Sequence, residues 1–232
     1  MCTCFTVRVN WLPHPFGKDL WGIEPDFVPR WNIKPGHLVR VLRTDGSEVV
    51  STHMVWGLIP YWTKLEAGAT IPKPSYSTFN AVGETLDQRP AYRHTLRAQR
   101  GIIVFDGFYE PKGPKTLKQR DPYFFHRPDD APMTAAALWD VWRSKDSTHE
   151  VVSCTLVTLA GAGLVGTIHD RMPAILPPER VMAWLDSRNT DWKSVLADLP
   201  EPPLETYEVS RYLYQRGAEG PDCVAPFTGA AH

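Results

Sequence analysis

The sequence predicts an α+β protein, mostly antiparallel or mixed β-sheet curled into a pseudo-barrel with a few flanking helices. Three observations carry this expectation. Short apolar runs with strand alternation recur along most of the chain, helical stretches are few, and no strand–helix–strand alternation builds a parallel sheet. Composition points the same way. The 22 prolines and 9 tryptophans suit short strands, frequent turns and aromatic packing.

Phe5 to Val9 alternates apolar residues with Thr and Arg. Leu38 to Leu42 and Glu48 to Trp56 read as strands joined by a Thr44-Asp45-Gly46 turn. Gly101 to Phe105 is a short buried run, and Pro122 to His126, Met133 to Trp142 and Glu150 to Leu159 complete the strands. Pro90 suits the first position of a helix reaching about Ala98, with Asp87 favouring its N-terminal end. Pro178 opens a second helix, Glu179 to Leu185, with Met182 and Leu185 facing inward. Thr190 caps a third, which runs to Leu199 before Pro200. A single domain over residues 1–215 is expected. Residues 216–232, rich in Gly, Ala and Pro, are expected to form a loose tail.

The chain has 232 residues, enough to bury one sizeable core. With 43% hydrophobic and 22% charged residues it has the balance of a soluble globular protein. It contains neither an apolar run long enough to span a bilayer nor the features of a signal peptide. A cytoplasmic protein is expected, nucleoid-associated if its host is bacterial. The four cysteines, Cys2, Cys4, Cys154 and Cys223, are sparse and fit a reducing compartment. Cys2 and Cys4 form a C-x-C without a second ligand pair, so no metal is expected, and no cofactor. The formal net charge is −1, so any nucleic-acid binding must rest on a local patch. No protein partner is indicated, and a monomer is expected.

Gly161-Ala-Gly163-Leu-Val-Gly166 matches a dinucleotide fingerprint and follows a strand. The fingerprint must open a helix of useful length, and Pro173 would break one. A turn followed by a short helix is the expectation here.

The chain's start offers different chemistry. Methionine aminopeptidases remove Met before a small residue, and Cys2 qualifies. The mature chain would begin with an amine and a thiol on adjacent carbons, expected to stand exposed. Such an aminothiol condenses with an aldehyde to a Schiff base and closes to a thiazolidine. Its reference pKa values, about 7.7–8.0 for the amine and about 8.5 for the thiol, leave both groups partly deprotonated near neutrality. A small second residue without function is the competing reading.

Further segments are Trp56-Gly-Leu-Ile-Pro-Tyr-Trp62, Phe79-Asn-Ala-Val-Gly-Glu-Thr85, Asp106-Gly-Phe-Tyr-Glu110 and Ile168-His-Asp-Arg-Met-Pro173. Weaker ones are Trp31-Asn-Ile-Lys-Pro35, Pro122-Tyr-Phe-Phe125 and Ala137-Leu-Trp-Asp-Val-Trp142. Their order and rough spacing, with Met1-Cys2, resemble the SOS response-associated peptidase (SRAP) family of abasic-site processing proteins, from residue 2 to about Leu185. The resemblance implies that fold and a lyase-like function. The N-terminal cysteine forms a thiazolidine crosslink with the aldehyde of an abasic site in single-stranded DNA, as part of the DNA-damage response.

Residue by residue, the resemblance makes Cys2 the nucleophile. Glu110 positions the amine and accepts its proton, and His169 protonates the sugar ring oxygen to help open it. Asn80 hydrogen-bonds near the nucleophile and DNA. Pro35, Trp56, Pro60 and Trp62 match positions near the DNA channel, where aromatic faces stack unpaired bases; for Trp56 and Trp62 core packing stays open as the alternative. Arg93 and Arg171 are the candidate phosphate contacts. Two family arginines are absent here, replaced by Cys4 and Val82; Arg89, Arg93, Arg97 and Arg100 fall at helical spacing, which reads first as a solvated face and alternatively as a substitute patch. Gly101, Phe105 and Pro111 also depart from the family pattern. Two alternatives remain open: a peptidase or amidohydrolase using the N-terminal Cys, its activity limited to self-processing, and a single-strand-binding module that has lost crosslinking.

Overall fold

The structure is a computed structural model that describes residues 2–10, 27–114, 116–117 and 119–229. Its strands are β1 (Phe5–Val7), β2 (Arg30–Ile33), β3 (Leu38–Asp45), β4 (Glu48–Trp56), β5 (Asn80–Val82), β6 (Arg100–Phe105), β7 (Gly107–Lys112), β8 (Asp121–His126), β9 (Met133–Arg143), β10 (Glu150–Ala160), β11 (Arg171–Pro173) and β12 (Glu205–Glu208). Short helices connect them: α1 (Pro90–Arg93), α2 (Thr95–Ala98), α3 (Gly163–Gly166), α4 (Pro178–Leu185) and α5 (Trp192–Leu196).

Barrel closure comes from one long hairpin. β9 and β10 pair antiparallel from Arg143↔Glu150 to Ala137↔Leu156. β9 also pairs with β6, β6 with β3, β3 with β4, and β4 runs parallel to β10 at Ser153 and Cys154. The ring β10-β4-β3-β6-β9 is thereby closed, so these strands leave no edge to pair with another chain. The expected curled sheet is therefore a closed barrel. β10 continues beyond it, carrying β5 in parallel and β11 antiparallel. A second sheet, ordered β12-β8-β7-β1-β2, packs against the barrel. Phe5, Trp56, Phe105, Phe108 and Phe125 fill the apolar space they share with the barrel. Leu42, Ile102, Leu138, Val157 and Trp184 bury the other contact surface, under α4 and α5.

Some boundaries differ from expectation for local reasons. The expected Pro90–Ala98 helix is two single turns that meet at His94. Arg100 does not join an exposed arginine face. It is buried, with its guanidinium donating to the carbonyls of Leu96 at 2.7 Å and Asn189 at 2.8 Å. The third helix is capped by Asp191, whose carboxylate accepts from Ser194 N, rather than by Thr190.

The described part of the expected tail is docked, not loose. Asn32 Nδ2 donates to the carbonyls of Leu213 and Ala218, Tyr207 Oη to Val224 O, and Phe227 N to Glu208 O. Cys223 is buried. Glycine and proline there serve turns that turn the chain back onto the sheet. Residues 230–232 lie outside the described residues. No helix among the described residues is long and apolar enough to cross a membrane.

Candidate active site around Cys2

β1 lies inside its sheet, with Phe5 paired to Ile33 of β2 on one side and Phe108 of β7 on the other. That pairing draws the start of the chain under the barrel. Cys2 is 0% exposed, which corrects the expectation of an exposed terminus. Its Sγ donates to Cys4 O at 3.6 Å, and burial together with the Glu110 charge pushes the thiol well above its ordinary range.

Asn80 opens β5, beside Leu156 of β10. Its Nδ2 donates to Cys2 O at 2.7 Å, so the side chain grips the backbone of Cys2. The strand start is itself fixed. Phe79 O accepts from Trp56 Nε1 at 2.8 Å, and Tyr92 Oη donates to Asn80 O at 3.3 Å.

Glu110 sits on β7 opposite Tyr123 and is fully buried. Burial pushes its carboxyl up to about 8, against smaller lowering by the N-terminal ammonium and Arg120. At pH 7 it is mostly a carboxylic acid. His169 follows α3, and its Nδ1 lies 3.3 Å from Glu110 Oε2. The same nitrogen lies 3.1 Å from both the carbonyl and the N–H of Arg171, so either tautomer finds a backbone partner. Burial lowers the imidazole from its usual value. Near neutrality the thiol, carboxyl and imidazole are thus all held predominantly uncharged.

The G-x-G-x-x-G segment contributes here without binding a nucleotide. A Cβ at Gly161 would run into the carbonyl of His169, so this glycine lets the turn close against the histidine's backbone. Asp106, at the head of the Asp-Gly-Phe-Tyr-Glu motif, has a structural role that its residue type alone does not reveal. Its buried carboxylate accepts from Thr6 Oγ1, Arg8 N, Arg8 Nε and Val9 N, tying β1 to the start of β7. The sequence signal was its place directly before Gly107, where a Cβ would meet the Phe124 ring.

The candidate DNA-contacting residues divide. Trp56 is 0% exposed and packs against Phe5 with ring centroids 4.9 Å apart. It cannot present a face to a base, which corrects its expected stacking role. Replacing it in Trp56→Ala is expected to destabilise the fold by about 3–5 kcal/mol, read as a lower urea midpoint. Arg171 is also corrected. Its guanidinium is bidentate on Glu84, at 2.8 Å for each pair, so it clamps β11 to the turn after β5 instead of awaiting a phosphate. Trp62 is 45% exposed, Arg93 is exposed, and Pro35 and Pro60 are half-buried; these four stay open to solvent. Cys4 points away from Cys2 into a separate cluster with Tyr109, Phe124 and Cys223, donating to Asn32 Oδ1 at 2.8 Å. Val82 is 36% exposed.

A family model described as SOS response associated peptidase (SRAP) matches residues 1–215. The abasic site processing protein YoqW of Bacillus subtilis is 31% identical over 238 residues, covering 97% of this chain and 99% of its own. The abasic site processing protein HMCES of Xenopus tropicalis is 30% identical over 204 residues, covering 78% of this chain and 58% of its own. A crystal structure of a protein from Bacteroides thetaiotaomicron aligns with a TM-score of 0.68 at 22% identity, over 84% of each chain. A phage-related protein from Bordetella bronchiseptica aligns with a TM-score of 0.63 at 28% identity, over 90% of this chain and 95% of its own.

Proposed function

The chain belongs to the SOS response associated peptidase family, and from that premise we propose that it captures abasic sites in single-stranded DNA as a covalent adduct of Cys2. The relative named abasic site processing protein YoqW, aligned over 99% of its length, supports the substrate. The observations that carry the chemistry are the hold of Asn80 on the Cys2 backbone and the buried Glu110–His169 pair, whose carboxyl is near enough to act on the Cys2 thiol by its charge.

Hydrolysis of the Met1–Cys2 peptide bond frees the α-amine. That amine adds to the aldehyde of the ring-opened sugar, and the carbinolamine loses water to give a Schiff base. Cys2 Sγ then adds to the imine carbon while its proton passes to nitrogen, closing the thiazolidine. The sum is one water released per adduct, with no oxidant or reductant.

The buried pair supplies the protons. Opening the sugar ring needs a donor at its oxygen, and dehydration needs a donor at the leaving hydroxyl. The imidazole of His169 becomes an effective general acid on taking up a second proton, and at pH 7 the neighbouring Glu110 carries one. Asn80 holds the Cys2 carbonyl, which fixes where amine and thiol point. Trp62, Pro35, Pro60 and Arg93 are the contacts assigned to the flanking strand.

The test uses protein whose free N-terminal cysteine is verified by mass, incubated with a single-stranded oligonucleotide bearing one abasic site. A one-to-one adduct that survives denaturation is expected. Ordinary binding without any adduct would instead select the non-covalent module.

A further inference from the structure

The stretch before β1 is held from the outer face of its sheet as well as by Asn80. Adjacent strand residues face opposite sides of a sheet. On β2, Ile33 packs into the cluster shared with the barrel, and Asn32 turns to the outer face. On β7, Glu110 and Tyr109 divide in the same way, and Cys4 joins Tyr109 on the outer side.

Asn32 is buried, and both ends of its amide are engaged. Its Oδ1 accepts from Cys4 Sγ at 2.8 Å, while Nδ2 donates to Leu213 O at 3.0 Å and Ala218 O at 2.9 Å. Two carbonyls require donors and a thiol kept protonated by burial requires an acceptor, so the amide fits in this orientation alone. The stretch that anchors Asn32 runs past residue 215, where the family match ends. Beyond Ala218, the Glu219 carboxylate accepts from Trp31 N and from Arg30 Nε at 3.2 Å, fixing the β2 residues on either side of the exchange with Cys4.

The backbone of Cys4 is fixed as well. Its carbonyl accepts from Tyr109 N at 3.0 Å, and Tyr109 Oη donates to Trp31 O at 2.7 Å. That carbonyl is also the acceptor for the Cys2 thiol, at 3.6 Å. Tyr109 directly precedes Glu110. One hydrogen-bonded layer therefore places the Cys2 thiol and the Glu110 backbone relative to each other, and Asn32 ties that layer to the end of the chain.

We propose that Asn32 is a positioning residue for ring closure at Cys2, acting through Cys4 to hold the thiol over the imine carbon. In that step the C–S bond forms as the C=N π bond breaks, and the thiol proton passes to nitrogen; nothing is oxidised or reduced. A misplacement of about 1 Å costs about 10²-fold in rate. The proposal rests on the reading of Cys2 as the aldehyde-capturing residue, and it requires no contact between Asn32 or Cys4 and DNA.

The test uses full-length protein with a verified free Cys2 and two aldehydes: glycolaldehyde, which needs no DNA contact, and the single-stranded abasic oligonucleotide. Borohydride traps the open imine as an amine, and mass separates that product from the closed thiazolidine. Cys4→Ala deletes the donor to Asn32 Oδ1, and Cys4→Ser keeps one. Asn32→Ala and Cys4→Ala are expected to slow ring closure by on the order of 10-fold or more and to raise the trapped share. Cys4→Ser is expected to restore the wild-type ratio. Lost stability alone lowers both products together and leaves their ratio unchanged. If Asn32→Ala does not fold, the two Cys4 variants decide. A wild-type ratio in Cys4→Ala, or a Cys4→Ser no better than Cys4→Ala, overturns the proposal. A shifted ratio with glycolaldehyde, alongside a wild type that forms no DNA adduct, removes only the capture of abasic sites. A wild-type DNA adduct alongside unchanged ratios removes only the positioning role.

Discussion

Cys2→Ala, processed to a free N-terminal alanine, is expected to lose the denaturation-resistant adduct completely while keeping a reducible one. The variant retains the α-amine, so the Schiff base still forms, but no thiol remains to close the ring. Without reductant the adduct should fall to background on denaturing gels. With borohydride present during the reaction, a trapped amine of the same one-to-one stoichiometry should appear. A stable adduct from the alanine variant without reductant would move the chemistry off this thiol. A complete absence of trapped product would mean that sulfur, not nitrogen, makes the first bond. The fold should tolerate the change. The lost side-chain hydrogen bond is a 3.6 Å contact to Cys4 O, and the Asn80 grip is on the backbone.

Glu110→Gln carries the second large effect. General acid–base residues contribute about 10²–10⁴-fold, and a loss in that range is expected in the rate of adduct formation, followed by quenched time points. The pH profile gives a sharper readout. With its folded pKa raised to about 8, wild-type Glu110 donates below that pH and loses its proton above it. The acid-dependent limb of the wild-type profile should therefore decline through about pH 8, and the glutamine variant should lack that decline. The linkage has a parallel consequence for stability. A carboxyl raised from 4.5 when unfolded to about 8 when folded makes the unfolded state bind fewer protons between those values. Wild-type stability should fall as pH rises across that window, and Glu110→Gln should remove most of that slope in urea titrations. A variant that is slower but also pH-insensitive in stability identifies a buried proton donor. A variant that merely unfolds does not.

Much of the fold was legible because periodicity is local. Glu48–Trp56 appears with the bounds its alternation implies, and Met133–Trp142 and Glu150–Leu159 each fall one residue short of the observed strand. Closure of the barrel was not legible. It depends on β9 pairing with both β6 and β10, and nothing in the β9 residues states that both edges are taken. The strands that were missed, such as Asn80–Val82 and Arg171–Pro173, are too short to show alternation and exist because β10 offers them an edge. At the site, residue types in ordered motifs picked out Cys2, Asn80, Glu110 and His169 as candidates. Which way a side chain points is a property of neighbours distant in sequence. Trp56 and Trp62 stand six positions apart in one motif, yet one is sealed against Phe5 and the other is open. The same holds for Cys4, whose partner Asn32 and cluster mate Cys223 come from opposite ends of the chain.

All four cysteines are buried as free thiols. It is the thiolate that attacks peroxides and disulfides, and both burial and a raised pKa withhold it. Under the proposed capture chemistry, any earlier oxidation of the Cys2 sulfur would spend the protein before it met a damaged sugar. On that proposal the enclosure around Cys2 is a storage condition, keeping a one-use thiol unspent until an aldehyde arrives.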